Sequence, residues 1–388
     1  MVVKPKIRNN ICLTAHPEGC AQQVQEQIEY IRSNGPVGGP KSALIVGSSN
    51  GYGLAARIVS AFGSGANTLG IAYEKPGSEK RPGTAGWYNN LAFEKEARKA
   101  GIGAWSLNGD AFSDEMKTQT LSLIAEHIGA VDLLIYSIAA PRRIDAETGQ
   151  IYSSALKPIG KPFSSKIVDM QGGEVSEITA EPATDEEIEH TVKVMGGEDW
   201  MKWIEVLVAA KALTPASVTV AFSYIGPSIT APIYRQGTIG KAKEDLEQTA
   251  FAINKKYGDR GVRAVVSINK ALVTRASAVI PAVPLYISLL YRVMKRKGLH
   301  EGCIHQMYRL YRDFLYAENP KALDSHGRIR LDDWEMREDV QQEVLELWQA
   351  VNSQNVENLS DIEGFREEFL RHHGFGMKGV DYEGDVAV

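Results

Sequence analysis

The stretch ALIVGSSNGYG, residues 43–53, decides the fold of this 388-residue chain. Its first four residues form a short apolar run, as found in a strand buried on both faces of a parallel sheet. The glycines that follow have the spacing G-x-x-x-G-x-G, and residues 54–62 after them have the apolar spacing of a helix. Glycine is required where the chain turns sharply and where its backbone approaches a pyrophosphate at a helix N-terminus. The stretch therefore predicts a Rossmann-type dinucleotide site, and the alternative is an ordinary glycine-rich turn between a strand and a helix.

Strand and helix patterns alternate after this stretch. The predicted strands cover residues 68–73, 104–107, 132–137, 218–224 and 262–268. The predicted helices cover residues 92–99, 112–128, 198–213 and 238–255. Repeated β-α units of this kind predict an α/β fold, in which helices flank a doubly wound parallel sheet of the Rossmann type.

Three regions lie outside this alternation. An amphipathic stretch at 21–31 belongs to an N-terminal extension. Residues 141–184 are rich in Pro, Gly, Ser and Thr, and they predict an inserted excursion on the substrate side with one hairpin. Two prolines lead into an apolar helix at 285–294, and the charged tail from Asp332 predicts helical additions at the C-terminus. We expect a single Rossmann-type body made of an N-terminal extension (1–40), an NAD-binding half (41–140), an insertion (141–197), a catalytic half with a substrate helix (198–300) and a C-terminal helical extension (301–388).

The composition excludes several classes of protein. A formal net charge of -5 argues against a nucleic-acid binder, which needs a basic face to neutralise phosphates. The 3 cysteines and 8 histidines show no metal-ligand spacing, so we expect no metal and no disulfide framework. Lysines and an arginine interrupt the only apolar stretch at the N-terminus, and no apolar run is long enough to span a membrane. The chain is expected to be a cytoplasmic enzyme.

Polar and small residues follow the predicted strands that flank the glycine turn. Glu74 comes directly after the second strand, where a carboxylate accepts the adenosine ribose hydroxyls of NAD and repels the extra phosphate of NADP. Lys75 beside it weakens this inference, since a lysine serves a phosphate. Asp110 and Ala139 follow the next two strands, and ligands lie beyond the carboxyl ends of such strands. Together these strand ends predict a crevice that favours NADH.

A tyrosine and a lysine are the candidate catalytic residues. Hydride delivered to the β-carbon of an enoyl thioester leaves an enolate, whose oxygen needs a hydrogen-bond donor. The Tyr234 hydroxyl supplies that bond and a proton, and an ammonium group nearby stabilises the phenolate that forms. Lys241 and Lys243 lie about 200° apart on a helix, so only one of them faces the cofactor, and spacing alone does not choose. Tyr224, at the end of the preceding strand, is a second candidate contact for the substrate carbonyl.

The sequence resembles the trans-2-enoyl-CoA reductases, also called FabV-type enoyl-acyl-carrier-protein reductases, an extended type of short-chain dehydrogenase/reductase. The likeness covers essentially the whole chain. Besides the glycine turn and Tyr234 with Lys243, it is carried by the motifs NGDAFSDE (108–115), MGGEDW (195–200) and LVTRAS (272–277), by His16-Pro17 with Gly19-Cys20, and by Gly374-Phe375-Gly376.

This resemblance implies a set of roles. It implies Tyr234 as the proton donor, Lys243 rather than Lys241 as its partner at the cofactor, and Tyr224 as a substrate contact. It implies a monomer that uses NADH in preference to NADPH on enoyl thioesters of coenzyme A or acyl carrier protein, in fatty acid synthesis. The implied NAD contacts, besides Lys243, are Gly47, Ser48, Ser49, Asn50, Gly51, Tyr52, Tyr73, Glu74, Asp110, Ala111, Ile138, Ala139, Leu272, Val273 and Thr274.

Other readings stay open at this point. The same Tyr/Lys pair serves a ketoreductase acting on a 3-oxoacyl thioester, and such enzymes carry a serine before the tyrosine, for which Ser223 and Ser228 are candidates. A dinucleotide-binding regulator without catalysis is the third hypothesis. On the substrate side, residues 281–297 suit an acyl chain with their apolar part and phosphates with their basic end, although a core helix has the same pattern. Arg142 and Arg143 are further candidates for a phosphate contact.

Overall fold

The computed structural model describes residues 1–8, 11–275 and 277–388. Ala276, within the LVTRAS motif, therefore lies outside the described residues. The strands are β1 (Ile7–Arg8), β2 (Ile11–Cys12), β3 (Ser42–Val46), β4 (Asn67–Ala72), β5 (Ala104–Asn108), β6 (Val131–Tyr136), β7 (Arg142–Ile144), β8 (Ile151–Ser153), β9 (Phe163–Val168), β10 (Val175–Ala180), β11 (Leu213–Ser223), β12 (Arg263–Ile268) and β13 (Ile329–Arg330).

Helices connect and cover these strands. The α-helices are α1 (Pro17–Asn34), α2 (Gly51–Ile58), α3 (Ala85–Lys99), α4 (Asp114–Leu123), α5 (Asp185–Met195), α6 (Glu198–Ala209), α7 (Thr238–Tyr257), α8 (Val283–Arg296), α9 (Cys303–Leu310), α10 (Glu338–Ala350), α11 (Val356–Leu359) and α12 (Ile362–Arg371). Short π-helical turns extend α2, α4 and α9, at Val59–Gly63, Ile124–Ile128 and Tyr311–Leu315. Single 3₁₀ turns occur at Gly258–Arg260 and Ser277–Val279.

Seven strands form one parallel sheet in the order β13-β12-β11-β6-β3-β4-β5. Within this sheet, β3 is the first strand in the sequence and lies inside the sheet. β4 and β5 follow on one side of it, and β6 then lies on its other side. The order of the strands therefore reverses between β3 and β6, and in such sheets ligands bind at this position, beyond the carboxyl ends of the strands. The predicted α/β fold with a doubly wound parallel sheet is confirmed.

Apolar side chains bury both faces of this sheet. On one face, β3 packs with α1, α2, α3 and α9, through residues such as Ile28, Leu54, Phe93 and Met307. On the other face, α4, α6 and α7 cover the strands with Met116, Trp200, Leu246 and others. A separate core forms where α8 packs against α10 and α12. This third core contains Tyr234, so the catalytic candidate lies between the sheet and the C-terminal helices.

The excursion at 141–184 contains two hairpins, so the prediction of one was wrong. β7 pairs with β8, and β9 pairs with β10, both antiparallel. The second hairpin docks on the C-terminal region, because the Lys166 ammonium caps α10 by donating to the carbonyls of Trp348, Gln349 and Val351 at 2.9–3.1 Å. Because these contacts join residues far apart in the chain, no local sequence pattern indicates where the hairpin docks.

Other differences from the predicted elements are local. The helix predicted from Ala92 begins seven residues earlier, at Ala85, directly after Thr84, whose hydroxyl bonds to the Lys75 backbone and does not cap the helix. Helix α5 was not predicted, although Thr184 and Glu187 form a capping box at its start. β13 lies within the segment predicted as a helical extension, and its two residues pair with the end of β12. Among the described residues, no helix has the length and apolar character needed to cross a membrane.

Candidate active site

The glycine turn after β3 is shaped by close backbone contacts. A Cβ atom on Gly47, which has a φ of 91°, would lie 2.1 Å from the Ser137 carbonyl oxygen. A Cβ atom on Gly53 would lie 1.8 Å from the Gly47 carbonyl oxygen. At Gly51, by contrast, the nearest atom is a methyl carbon of Thr274 at 3.7 Å. The turn is therefore tightly packed against the sheet at Gly47 and Gly53, whereas Gly51, on the side of Thr274, has room for a Cβ atom.

Helix α2 begins in this turn with an available N-terminus. Its N-cap residue, Asn50, makes no side-chain capping bond, and the first turn contains no acidic residue. The side-chain amide nitrogen of Asn50, Nδ2, is also buried without a hydrogen-bond partner in the described structure. A positive helix end without a carboxylate and with an unpaired donor fits an anionic group such as the cofactor's pyrophosphate.

Glu74 lies at the neighbouring strand end, buried beside the turn. Its carboxylate accepts hydrogen bonds from the Ser49 hydroxyl at 2.7 Å and from the Arg275 guanidinium at 3.1 Å. The amide of Asn108 fixes the Glu74 backbone through two hydrogen bonds of 2.8 and 2.9 Å. Tyr73, just before it, is 80% exposed. The sequence did not indicate that an arginine 201 positions away would contact this acid.

The next two strand ends along the chain are those of β5 and β6, and side chains fix the backbone after β5. The Asp110 carboxylate accepts from the Phe112 amide at 3.0 Å, which tightens the turn between β5 and α4. The buried Lys117 ammonium donates to the carbonyl oxygens of Ala111 and Phe112 and to the Asp199 carboxylate. Ile138 and Ala139 follow β6, and Ile138 is partly buried whereas Ala139 is exposed. The predicted cofactor contacts on strands β3 to β6 thus lie along one edge of the sheet.

The two candidate lysines of α7 point in different directions. Lys243 turns inward, and its ammonium donates to the Phe222 carbonyl oxygen at 3.1 Å. Lys241 is 53% exposed and forms an ion pair with Glu244 at 2.9 Å. Burial lowers the pKa of Lys243 to about 8. The geometry therefore places only Lys243 at the crevice.

Phe222 connects Lys243 to the glycine turn. Its ring lies 5.8 Å from the ring of Tyr52, the second residue of α2. The Tyr52 hydroxyl donates to the Lys270 carbonyl oxygen at 2.7 Å, just beyond the end of β12. Phe222 thus lies between the glycine turn after β3 and Lys243 on α7, and it contacts both.

Tyr234 forms an aromatic pair with Tyr224, which lies two residues beyond Phe222 in the chain. Their ring centroids are 4.9 Å apart at an interplanar angle of 81°. Tyr234 is buried, and burial raises the pKa of its hydroxyl above the ordinary value. The Tyr224 hydroxyl donates to the Glu335 carboxylate at 2.9 Å, so its proton already has an acceptor within the protein. Tyr234 is therefore the better placed of the two to donate to a substrate.

Glu335 is a site residue that sequence analysis missed. It is fully buried, and burial raises the pKa of its carboxyl group. Besides Tyr224, it accepts from the Tyr286 hydroxyl at 2.7 Å and from the Ala271 amide at 2.7 Å. It lies in the charged C-terminal tail, where one more acidic residue does not indicate a functional site.

Residues 271–273 are held in place through their backbone. The Val273 amide donates to the Tyr291 hydroxyl at 3.1 Å, and the Val273 carbonyl lies 2.7 Å from the His372 Nε2 atom. Since a carbonyl only accepts, His372 carries the proton on Nε2. With the Glu335 bond to Ala271, three side chains from three parts of the C-terminal half fix this segment. We call Glu335, Tyr291 and His372 the backbone clamp.

The basic residues proposed to meet phosphates are mostly paired. Lys295 lies 2.6 Å from Asp361, Lys297 lies 2.9 Å from Asp339, and Arg296 pairs with Glu343. Arg143 is buried and bonded to Glu198, so its prediction as a phosphate contact was wrong. Arg142 and Arg292 are exposed. The apolar part of α8 is buried in the core that contains Tyr234.

The two serine candidates of the ketoreductase reading differ in position. Ser223 is buried at the end of β11, and its hydroxyl has no hydrogen-bond partner among the residues that are described. Ser228 is exposed.

Three family models match consecutive parts of the chain. The NAD(P)H binding domain of trans-2-enoyl-CoA reductase matches residues 2–79, the trans-2-enoyl-CoA reductase catalytic region matches 81–316, and the enoyl reductase FAD binding domain matches 323–386. Curated relatives named enoyl-[acyl-carrier-protein] reductase [NADH] include one from Cytophaga hutchinsonii, 53% identical over 386 residues, and one from Coxiella burnetii, 54% identical over 391 residues. Both alignments cover 100% of this chain, and 98% and 96% of the two relatives.

Solved structures agree over the same length. The Treponema denticola trans-2-enoyl-CoA reductase in complex with NAD is 51% identical, with a TM-score of 0.96. The Clostridium acetobutulicum trans-2-enoyl-CoA reductase in complex with NADH is 45% identical, with a TM-score of 0.97. Each alignment covers 100% of this chain and 98% of the other.

Proposed function

This chain belongs to the trans-2-enoyl-CoA reductase family, and we propose that it reduces the carbon–carbon double bond of trans-2-enoyl thioesters with NADH, using Tyr234 and Lys243. One observation carries the assignment of Lys243. Phe222 touches Tyr52 of the glycine turn with its ring and Lys243 with its carbonyl, so the cofactor turn and the inward lysine meet at one place.

NADH, when bound, supplies the hydride that reaches the β-carbon of the substrate. The protein must then stabilise the negative charge that develops on the thioester oxygen. The Tyr234 hydroxyl donates a hydrogen bond to that oxygen and supplies the proton that ends on the α-carbon, so that hydride and proton together saturate the double bond. Its raised pKa keeps it protonated until this charge appears.

Lys243 acts on Tyr234 by charge. An ammonium group near the tyrosine lowers the cost of leaving a phenolate in a buried site, where charges interact more strongly than in water. Tyr224 supports the same site through its ring and remains a proposed substrate contact. Because its own proton is donated to Glu335, it meets the substrate as an acceptor or through its ring.

The proposed NAD contacts are supported by fit. The glycine turn, the uncapped start of α2 and the buried Glu74 carboxylate suit a pyrophosphate followed by an adenosine ribose. We also propose that residues 41–140 form the NAD-binding half and residues 198–300 the catalytic half, with the remaining segments holding them together.

A flavin does not fit residues 323–386, despite the description of the matching family model. The start of α10 carries Glu338 and Asp339, and Asp361 caps α12 with its own carboxylate. These acids occupy the helix ends that would otherwise receive a pyrophosphate. Two inward polar side chains of this region, Glu335 and His372, bond to residues 271–273. No step of the reaction is assigned to a flavin.

The test is the loss of NADH absorbance with purified protein and trans-2-butenoyl-CoA, run beside the same acyl group on acyl carrier protein. Rapid loss with an enoyl thioester is the expected result. Comparison of the two rates shows whether the enzyme prefers coenzyme A or acyl carrier protein as the carrier. Acetoacetyl-CoA is the control for the ketoreductase alternative, in which Ser223 would serve the carbonyl. Turnover of acetoacetyl-CoA alone would overturn the proposal.

A further inference from the structure

Arg275 forms an ion pair across the cofactor crevice. Its guanidinium lies 3.1 Å from one Glu74 carboxylate oxygen and 3.3 Å from the other, although the two residues are far apart in the chain. Glu74 is 6% exposed in its side chain and Arg275 is 49% exposed. The acid is therefore fixed within the protein, and the arginine approaches it from the open side.

The segment that carries Arg275 lies over the glycine turn. Thr274, its neighbour, is the residue whose methyl group lies nearest to where a Cβ on Gly51 would be, at 3.7 Å. Ser49 in the turn bonds to the same Glu74 oxygen as Arg275 does. Glu74, Ser49 and Arg275 therefore surround the place proposed for the adenosine ribose.

Charge at this place decides between NADH and NADPH. A lone carboxylate repels the 2′-phosphate of NADPH, whereas an arginine accommodates it. Here both groups are present and bonded to each other, so Arg275 offsets part of the Glu74 charge. A partly buried pair is screened less by solvent and salt than an exposed one.

We propose that Arg275 is a specificity-determining residue, which moderates the rejection of NADPH by Glu74 and binds the 2′-phosphate when the Glu74 charge is removed. The proposal rests on the proposed function, since it takes Glu74 as the ribose contact. Other positive charge nearby comes from Lys75, which is exposed and forms no ion pair with Glu74 among the described contacts.

The experiment measures kcat/KM for NADH and for NADPH with one enoyl-CoA in four proteins: the natural chain, Arg275→Ala, Glu74→Gln and the double variant. Glu74→Gln keeps an acceptor for Ser49 and removes only the charge. It is expected to raise the NADPH to NADH ratio about tenfold or more, as one charge-assisted hydrogen bond to a phosphate would. Arg275→Ala is expected to lower that ratio, and the double variant to lose most of the gain.

Lys75→Ala is the matched control, and its ratio should stay within about twofold of the natural chain. The proposal is overturned if Glu74→Gln gains NADPH activity equally with and without Arg275, since the two residues would then act independently. It is also overturned if Lys75→Ala lowers the ratio as much as Arg275→Ala does, or if Arg275→Ala weakens both cofactors equally. Failure of the proposed function looks different, because the natural chain would then not oxidise NADH with any enoyl thioester.

Discussion

At the scale of single residues, the hydroxyl of Tyr234 is the group on which the proposed chemistry depends. Tyr234→Phe removes only this hydroxyl and keeps the ring that packs against Tyr224. We expect kcat to fall about 100-fold or more, the contribution typical of a positioned proton donor, with little change in NADH binding. Steady-state kinetics and a fluorescence titration with NADH measure the two effects. Near-full turnover in this variant would remove Tyr234 from its proposed role.

The two lysines of α7 provide a matched pair of variants. Lys243→Ala removes the inward ammonium, whereas Lys241→Ala removes an exposed one that pairs with Glu244. Exposed ion pairs contribute little, so Lys241→Ala should leave kcat/KM within about twofold. Lys243→Ala should lower it by at least about tenfold, because the buried phenolate loses its counter-charge. If Lys241→Ala lowered kcat/KM more than Lys243→Ala at the same pH, the choice of Lys243 as the partner of Tyr234 would be wrong.

Lys243 also predicts a pH dependence. Burial lowers its pKa to about 8, so the ammonium form is present below that pH and is lost as the pH rises through it. Since kcat/KM for NADH reports on the free enzyme, it should fall above about pH 8. Tyr234 does not cause this fall, because its pKa is raised. Lys243→Arg stays charged and should abolish the fall; an unchanged profile in that variant would assign the titration to another group.

At the scale of elements, the backbone clamp joins the C-terminal helices to the segment after β12. His372→Ala removes the donor to the Val273 carbonyl and leaves that carbonyl unpaired. We expect KM for NADH to rise about fivefold or more, as for the loss of a buried hydrogen bond, with little change in KM for the enoyl thioester. Tyr291→Phe should act in the same direction, because its hydroxyl accepts from the Val273 amide.

Tyr382→Phe is the control for the clamp. Its hydroxyl donates to the Gly374 carbonyl at 3.0 Å, within the C-terminal segment and away from Val273. This variant should lower the melting temperature without a selective change in KM for NADH. If all three variants raise both KM values alike, the clamp contributes only to general stability.

At the scale of the whole molecule, the two ends of the chain interlock. The His16 amide donates to the His373 carbonyl at 2.9 Å, and a Cβ on Gly19 would lie 1.6 Å from the Gly374 carbonyl oxygen. Gly19→Ala should therefore lower the free energy of unfolding by about 2 kcal/mol or more, since the backbones must separate. Gly258→Ala is the control, with open space around the Cβ position and a φ of -57°. Equal melting temperatures for the two variants would refute the interlock.

Much of the fold and part of the site could be predicted from the sequence. The apolar run at 43–46 and the glycines after it depend on local geometry, so they predicted the central strand and the cofactor turn. Strand β13 and the second hairpin could not be predicted in this way. Two residues of strand carry no periodicity, and the position where the hairpin docks is fixed by Lys166, which caps a helix that comes much later in the chain.

The sequence by itself determined the chemistry available to this protein: a glycine turn after a buried strand, an acid at the next strand end, and a tyrosine followed by two lysines. The resemblance already implied Lys243 rather than Lys241, but only the tertiary structure turned Lys243 inward, placed Arg275 on Glu74, and brought Glu335, Tyr291 and His372 to the backbone of residues 271–273. The physical reason is the range of the interactions. Backbone conformation and helix periodicity act over a few neighbouring residues, whereas burial and hydrogen bonding to buried groups depend on which distant segments pack together.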